Sequence, residues 1–243
     1  MDNHQISNNL APVVLIRGML GECRYWEYFK QLVEQRLQRP VFLLSLAKSG
    51  TSLEPLSLVT LIEQHREQLC QLTGQGDCHL VSLSLGASVA LCWQQMYPDE
   101  VKSCTLINPL VTVKQRRWQP LLWWLLFKIM VFSRWPGDQQ TRWLHRLSAW
   151  PSLHSQLATS ETHSIDFKAL TQHLYEMPIA EPMVPLQLLV SRHDKWISSE
   201  VSYQLADIWQ APLFPHLSAG HDLPLDDPRW VCEKLTDWIT HYD

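Results

Sequence analysis

The sequence has few glycines and no long apolar segment, and both shortages narrow the class of protein. Only 8 of 243 residues are Gly, beside 15 Pro, which excludes a collagen-like or low-complexity chain. The longest apolar run, residues 121–127, is shorter than the roughly 20 residues that a membrane-spanning helix needs. The first ten residues have no basic start and no apolar stretch. We therefore expect no transmembrane segment, no signal peptide and a cytoplasmic protein.

The sequence also has no large excess of charge of either sign, and its cysteines lack the spacing of a metal site. The 20 Lys and Arg against 24 Asp and Glu give a net charge of -4. Such a net charge provides no overall electrostatic attraction for nucleic acid, and we expect no such partner. The six cysteines form no Cys-x-x-Cys pair and have no zinc-type spacing with His. We predict free thiols of a reducing compartment and no metal site. The hydrophobic share of 46% excludes a disordered chain.

Short apolar strands alternate with helices along most of the chain, which predicts an α/β fold. Such alternation implies right-handed crossovers and a mostly parallel sheet flanked by helices. It fails between residues 111 and 178, which hold six of the twelve Trp. We interpret 111–178 as a helical cap on a core formed by 1–110 and 179–243. Predicted strands are 13–16, 41–45, 79–83, 103–107, 186–190 and 213–217; predicted helices are 25–37, 56–72, 85–97, 198–209 and 229–241.

The most informative stretch runs from a strand into a helix with almost no loop between them. Ser84 stands at this turn, with the small residues Ser82 and Gly86 two positions away on either side. A sharp strand-to-helix turn needs small neighbours and exposes a hydroxyl at the start of a helix. There the N–H of Leu85 can face a developing oxyanion. The alternative is a serine that only caps a helix in an ordinary α/β fold.

These residues resemble the α/β-hydrolase superfamily, whose G-x-S-x-G turn stands here as Ser82-x-Ser84-x-Gly86. The family's His-Gly turn after an early strand matches Arg17-Gly18. The resemblance implies an α/β-hydrolase fold with Ser84 as nucleophile. It also implies the backbone N–H groups of Met19 and Leu85 as the oxyanion hole. Arg17 replaces the family's His, and we take it for a turn residue, since the donor is backbone.

The resemblance also assigns the acid and the base, which the family places after later strands. Asp194 follows the predicted strand 186–190, and His221 follows the last strand in the family's Gly-His context. A serine hydroxyl needs such a base, and the base needs an orienting acid. His193, beside Asp194, is a competing acid–base group or half of a metal site. Asp222 adjoins His221, but the alternation of side chains makes it a poor orienter.

In this family an insertion at the position of 111–178 covers the nucleophile. Its apolar helices suit either an acyl pocket or packing of the cap onto the core. The cap carries a net charge of +4 and the remainder -8, which favours either an acidic partner or a solvated face. An acidic acyl carrier protein is one such partner, and the outline resembles pimeloyl-[acyl-carrier protein] methyl ester esterases. Membrane-surface contact by the cap is another. We predict that substrate contacts Trp118, Trp123, Trp124, Phe127 and Trp135.

The predicted activity is therefore a serine esterase or thioesterase acting on a small acyl ester without metal or organic cofactor. Two alternatives stay open at this point. Lyase members of the superfamily use a similar triad for carbon–carbon cleavage or elimination, and fold alone does not fix function. A non-catalytic binding protein is the other alternative, favoured by Ser82 and Arg17 where the family has Gly and His.

Overall fold

The computed structural model describes residues 10–18, 26–44, 57–74, 76–111 and 181–243. Met19 and nearly all of the predicted cap lie outside these ranges. The boundary between core and cap therefore stays a prediction. Within the described ranges, no helix is long and apolar enough to cross a membrane.

In the part of the chain that the structure describes, six parallel strands form one sheet, with helices between them. The strands are β1 (Val13–Ile16), β2 (Val41–Leu44), β3 (Cys78–Leu83), β4 (Val101–Ile107), β5 (Leu186–Ser191) and β6 (Leu213–His216). The helices are α1 (Glu27–Leu37), α2 (Leu58–Thr73), α3 (Gly86–Met96), α4 (Ser199–Trp209), the short α5 (Leu223–Asp226) and α6 (Pro228–His241), with a 3₁₀ turn at Pro98–Glu100. Every predicted strand and helix in the described ranges is present, with ends shifted by one or two residues.

The strand order β2-β1-β3-β4-β5-β6 explains where a site can form. The chain passes from β1 to β2 on one side and then returns to place β3 on the other side of β1. Ligands of such open sheets bind outside the carboxyl ends of the strands, beside this reversal. Ser84 directly follows β3, and the predicted acid and base follow β5 and β6. The topology therefore brings the predicted residues to one edge of the sheet.

Two apolar layers cover the two faces of the sheet, because successive strand side chains point to opposite faces. On one face α2, α3 and α4 pack around fully buried side chains such as Leu80 and Trp93. On the other face α1 and α6 pack around Phe29, Trp26 and Leu235. The result is a three-layer α/β/α sandwich, as the alternation of strands and helices predicts.

Candidate active site

Ser84 lies in a strained turn that the surrounding backbone holds in place. Its φ of 55° is in the left-handed region, which costs a non-glycine residue about 1–3 kcal/mol. Its N–H donates to the carbonyl of Ile107 at 3.0 Å. Its own carbonyl accepts from the N–H groups of Ala87 and Leu110, both at 3.0 Å. These bonds tie the turn to α3 and to the end of β4, so the hydroxyl is presented at the carboxyl edge of the sheet.

The small residues around Ser84 are required by close packing against β1. A methyl group on Gly86 would lie 2.5 Å from the carbonyl oxygen of Ile16, closer than real contacts allow. A methyl group on Gly18 would lie 3.0 Å from Cβ of Ser84. Ser82, which stands where the family has its first glycine, is fully buried. Its hydroxyl donates to the carbonyl of Thr105 at 3.4 Å, so this replacement leaves the turn intact.

Of the two predicted oxyanion donors, the structure describes Leu85 but not Met19. Leu85 is buried and occupies the N-cap position of α3, where backbone N–H groups lack partners inside the helix. Met19 lies outside the described residues, but Gly18 directly before it lies against Ser84. The turn after β1 is therefore adjacent to the nucleophile candidate.

Asp194 and His221 are brought together across 27 residues of sequence. Nδ1 of His221 lies 2.7 Å from Oδ2 of Asp194, a short distance typical of a charge-assisted hydrogen bond. The other oxygen, Oδ1, accepts from the backbone N–H groups of Trp196 at 2.7 Å and Ile197 at 3.0 Å. Because Nδ1–H donates to Asp194, Nε2 is left as a proton acceptor, the tautomer that a general base requires.

The negative charges around His221 raise its pKa more than its burial lowers it. Desolvation lowers the pKa of the imidazole, but the charge of Asp194 and its hydrogen bond raise it, and the charges of Asp222 and Asp226 add to this. The net result is a pKa of His221 above its ordinary value of 6.5. The surroundings of His221 thus favour the protonated form of its imidazole.

His193, the competing histidine, is exposed. Both carboxylate oxygens of Asp194 already bond to His221 and to backbone N–H groups. The geometry therefore favours His221 over His193 as the partner of Asp194.

Asn108 holds the segment of His221 against β5, a role that the sequence analysis missed. Its Nδ2 donates to the carbonyl of His221 at 2.8 Å and to Oγ of Ser191 at 3.1 Å. Its Oδ1 accepts from the N–H of Ser191 at 2.8 Å. Asn108 has a φ of 41°, which Asn tolerates better than most residues. An Asn directly after a central strand is the one local signal that pointed here.

Two further side chains shape the turn that leads into His221. Nδ1 of His216 accepts from the N–H of Ala219 at 2.9 Å. Oδ2 of Asp226 accepts from the N–H of Gly220 at 2.7 Å. His216 falls within the predicted strand 213–217, and the structure shows that its side chain anchors this turn from its start.

Arg17 is more than a turn residue. It is 5% exposed, and its Nη2 donates to Oδ2 of Asp222 at 2.6 Å. Oδ1 of the same carboxylate accepts from the indole N–H of Trp26 at 3.0 Å. Both oxygens of Asp222 thus bond to Arg17 and Trp26, which agrees with the expectation that Asp222 is a poor orienter of His221.

The predicted substrate residues Trp118, Trp123, Trp124, Phe127 and Trp135 lie outside the described residues.

Several solved structures share this architecture. An esterase from Thermogutta terrifontis has a TM-score of 0.72 at 16% identity, covering 96% of this chain and 90% of that one. A monoacylglycerol lipase from Paleococcus ferrophilus has a TM-score of 0.68 at 16% identity, covering 96% and 95%. At such low identity these likenesses show the fold alone.

Sequence comparison adds a partial relative and a family. "Ethanol acetyltransferase 1" of Cyberlindnera jadinii is 26% identical over 99 residues, which is 40% of this chain. The chain spans only 29% of that relative's length. The model of the Alpha/beta hydrolase family matches residues 13–234, nearly the whole chain. The chain therefore belongs to the alpha/beta hydrolase family.

Proposed function

We propose that this chain is a serine hydrolase that cleaves a carboxylic ester or thioester of an apolar acyl group. The observation that carries the proposal is the 2.7 Å bond between His221 and Asp194. This bond lies at the same edge of the sheet as the strained turn of Ser84, a partly buried residue. The φ of 55° at Ser84 supports the proposal, because strained backbone of this kind is often retained at functional sites.

The proposed reaction begins with attack of Ser84 Oγ on the acyl carbonyl. His221 Nε2 accepts the hydroxyl proton, and Asp194 holds the resulting imidazolium through Nδ1–H. The N–H of Leu85, with that of Met19 as the second donor, stabilises the negative oxygen of the tetrahedral intermediate. One such donor typically contributes about 3 kcal/mol to the transition state. His221 then gives its proton to the leaving alcohol or thiol, and water releases the acid from Ser84 by the reverse sequence.

The proposed acyl specificity rests on the composition of the predicted cap, residues 111–178. Six Trp and a net charge of +4 in 111–178 suit an apolar acyl chain with an acidic carrier attached. Each buried methylene of the acyl chain contributes about 0.8 kcal/mol. Truncation by Trp124→Ala should therefore change the preferred chain length. Arg142 and Arg146 are two basic residues of this segment, four positions apart, and a reversal of both charges should weaken carrier-linked substrates only.

A second candidate function is acyl transfer to an alcohol instead of water. The observation that favours it is the 99-residue similarity to a protein named for acetyl transfer to ethanol. Both reactions pass through the same acyl-Ser84 intermediate, so the acceptor alone distinguishes them.

The experiment is a panel of aryl and thiol esters of increasing acyl length, with and without added ethanol. We expect hydrolysis that depends on chain length and is lost in Ser84→Ala. Ethyl ester among the products identifies the transferase instead. Failure to turn over any ester, or full activity in Ser84→Ala, contradicts the proposal and favours the lyase or binding alternatives.

A further inference from the structure

The ion pair of Arg17 with Asp222 joins the two segments on which the proposed reaction depends. Arg17 is the first residue after β1 and directly precedes Gly18, which lies against Ser84. Asp222 directly follows His221. The pair spans 205 residues of sequence at 2.6 Å, and the two side chains are only 6% and 17% exposed. A pair this buried is strongly coupled, because removal of either partner leaves an uncompensated charge.

Trp26 completes the arrangement from the start of α1. Its indole N–H donates to the second oxygen of Asp222 at 3.0 Å. The Arg17 guanidinium lies 5.1 Å from the centre of the Trp26 ring, within the range of a cation–π contact. The carboxylate is therefore held at both oxygens and has little freedom to turn toward His221.

The charges that face His221 make Arg17 electrostatically important. Asp194 comes from the connection after β5, while Asp222 and Asp226 come from the segment of His221 itself. Asp194 bonds to the imidazole, and Asp226 bonds to the N–H of Gly220. Arg192, His193 and Lys195 lie in the same connection as Asp194 and are exposed. Arg17, in contrast, is buried and bonds to Asp222, one of these three carboxylates.

We propose that Arg17 and Asp222 are positioning residues that act through His221, fixing its segment to the turn after β1 and balancing the charge beside its imidazole. The proposal deepens the proposed function and rests on it only in taking His221 as the base. It gives a reason for Arg17 at a place where the family has His. The two side chains neither touch substrate nor exchange protons in the reaction.

Removal of the two charges one at a time should shift the pKa of His221 in opposite directions. Asp222→Asn removes a negative charge near the imidazole, so the pKa of His221 should fall. Arg17→Met leaves the charge of Asp222 uncompensated, so the pKa of His221 should rise. The double variant Arg17→Met/Asp222→Asn removes both charges and should lie between the single variants. A merely structural role gives no such pair of opposite signs.

The experiment is an NMR titration of the His221 ring signal, assigned by its loss in His221→Gln. We expect the titration midpoint to move to lower pH in Asp222→Asn and to higher pH in Arg17→Met. Arg17→Lys keeps the charge and should keep the wild-type midpoint. Because Asp222→Asn and Arg17→Lys preserve most of the contacts, they remain informative where Arg17→Met does not fold. The matched control is Arg66→Met, which breaks the pair of Arg66 with Glu100 at 2.6 Å, outside the site.

Ester hydrolysis by the same variants provides the second readout. A base displaced by about 1 Å can lose about 10²-fold in rate. We therefore expect kcat to fall about ten- to a hundredfold in Asp222→Asn and Arg17→Met, with a smaller change in KM and partial recovery in Arg17→Lys. Midpoints that move in the same direction, that do not move, or that move equally in Arg66→Met overturn the inference. Opposite shifts in a chain that hydrolyses no ester support the charge coupling and refute the proposed function alone.

Discussion

Replacement of Gly86 by Ala tests the packing that sets the position of Ser84. The added Cβ would lie 2.5 Å from the carbonyl oxygen of Ile16 and 2.9 Å from that of Arg17. Ordinary contacts begin at 3.4 Å, and both obstacles are backbone atoms of β1 and its following turn. They cannot rotate away as a side chain can. The start of α3 must therefore retreat from β1 by most of the difference, and Ser84 must move with it.

The expected cost follows from this forced movement. Overpacking of a tightly packed interior typically destabilises a protein by about 1–3 kcal/mol. For a chain of this size, each kcal/mol lowers Tm by about 2–4 °C, so we expect Tm to fall by about 2–12 °C. A misplaced nucleophile can cost about 10²-fold in rate. We therefore expect kcat/KM for a short aryl ester to fall about a hundredfold in protein that is still folded.

The matched control is Gly76→Ala, which adds the same methyl group where it meets the Glu100 side chain at 3.4 Å. That contact is ordinary and its partner is flexible. Thermal unfolding by circular dichroism and ester hydrolysis measure both variants. If Gly86→Ala keeps wild-type Tm and activity, or if Gly76→Ala loses as much, then close packing of α3 on β1 is not what positions Ser84.

The other predictions concern the base, its support and a buried histidine. Because the pKa of His221 is raised above 6.5 and only the neutral imidazole accepts a proton, kcat/KM should rise with pH through a midpoint above 6.5. Asp194→Asn should lower that midpoint and reduce kcat by about 10⁴-fold, since it favours the wrong tautomer; an unchanged pH profile contradicts this. Asn108→Ala should reduce kcat more than it raises KM, by about tenfold or more, and equal effects on both argue against positioning of His221. Burial lowers the pKa of His79 to about 4, so the unfolded chain binds more protons below about pH 6.5 and the free energy of unfolding should fall by about 2–4 kcal/mol between pH 7 and pH 4. Urea unfolding at the two pH values should show a smaller fall in His79→Gln, and an equal fall refutes this assignment.

The strands and longer helices were predictable because their signals are local. Each buried strand is a short apolar run, and each longer helix repeats apolar residues at its own period. The four-residue helix α5 was not predicted, since Leu223–Asp226 is too short to show a period and contains Pro224. Its formation depends on the N–H groups of Leu225 and Asp226 donating to the carbonyl of Asp222.

The proximity of Asp194 and His221 was predictable, because family order and strand ends place both residues at one edge; their roles as acid and base stay a prediction. The contacts that support this pair of residues were not predicted. Arg17 and Asp222 lie 205 residues apart, and Asn108 lies 113 residues from His221. No local pattern marks such pairs, since each residue alone fits an ordinary turn. Arg17 follows β1, Asn108 follows β4, and His221 and Asp222 follow β6. Only the parallel sheet, which puts the carboxyl ends of these strands at one edge, brings the residues together.

Covalent labelling at Ser84 tests the central claim most directly. A fluorophosphonate reacts with a serine only where a neighbouring base activates the hydroxyl and the turn presents it. We expect one phosphonate per chain, found by peptide mass mapping on Ser84 and absent from Ser84→Ala, with much slower labelling of His221→Ala. Labelling on Ser82 or Ser88, or undiminished labelling of Ser84→Ala, would contradict it.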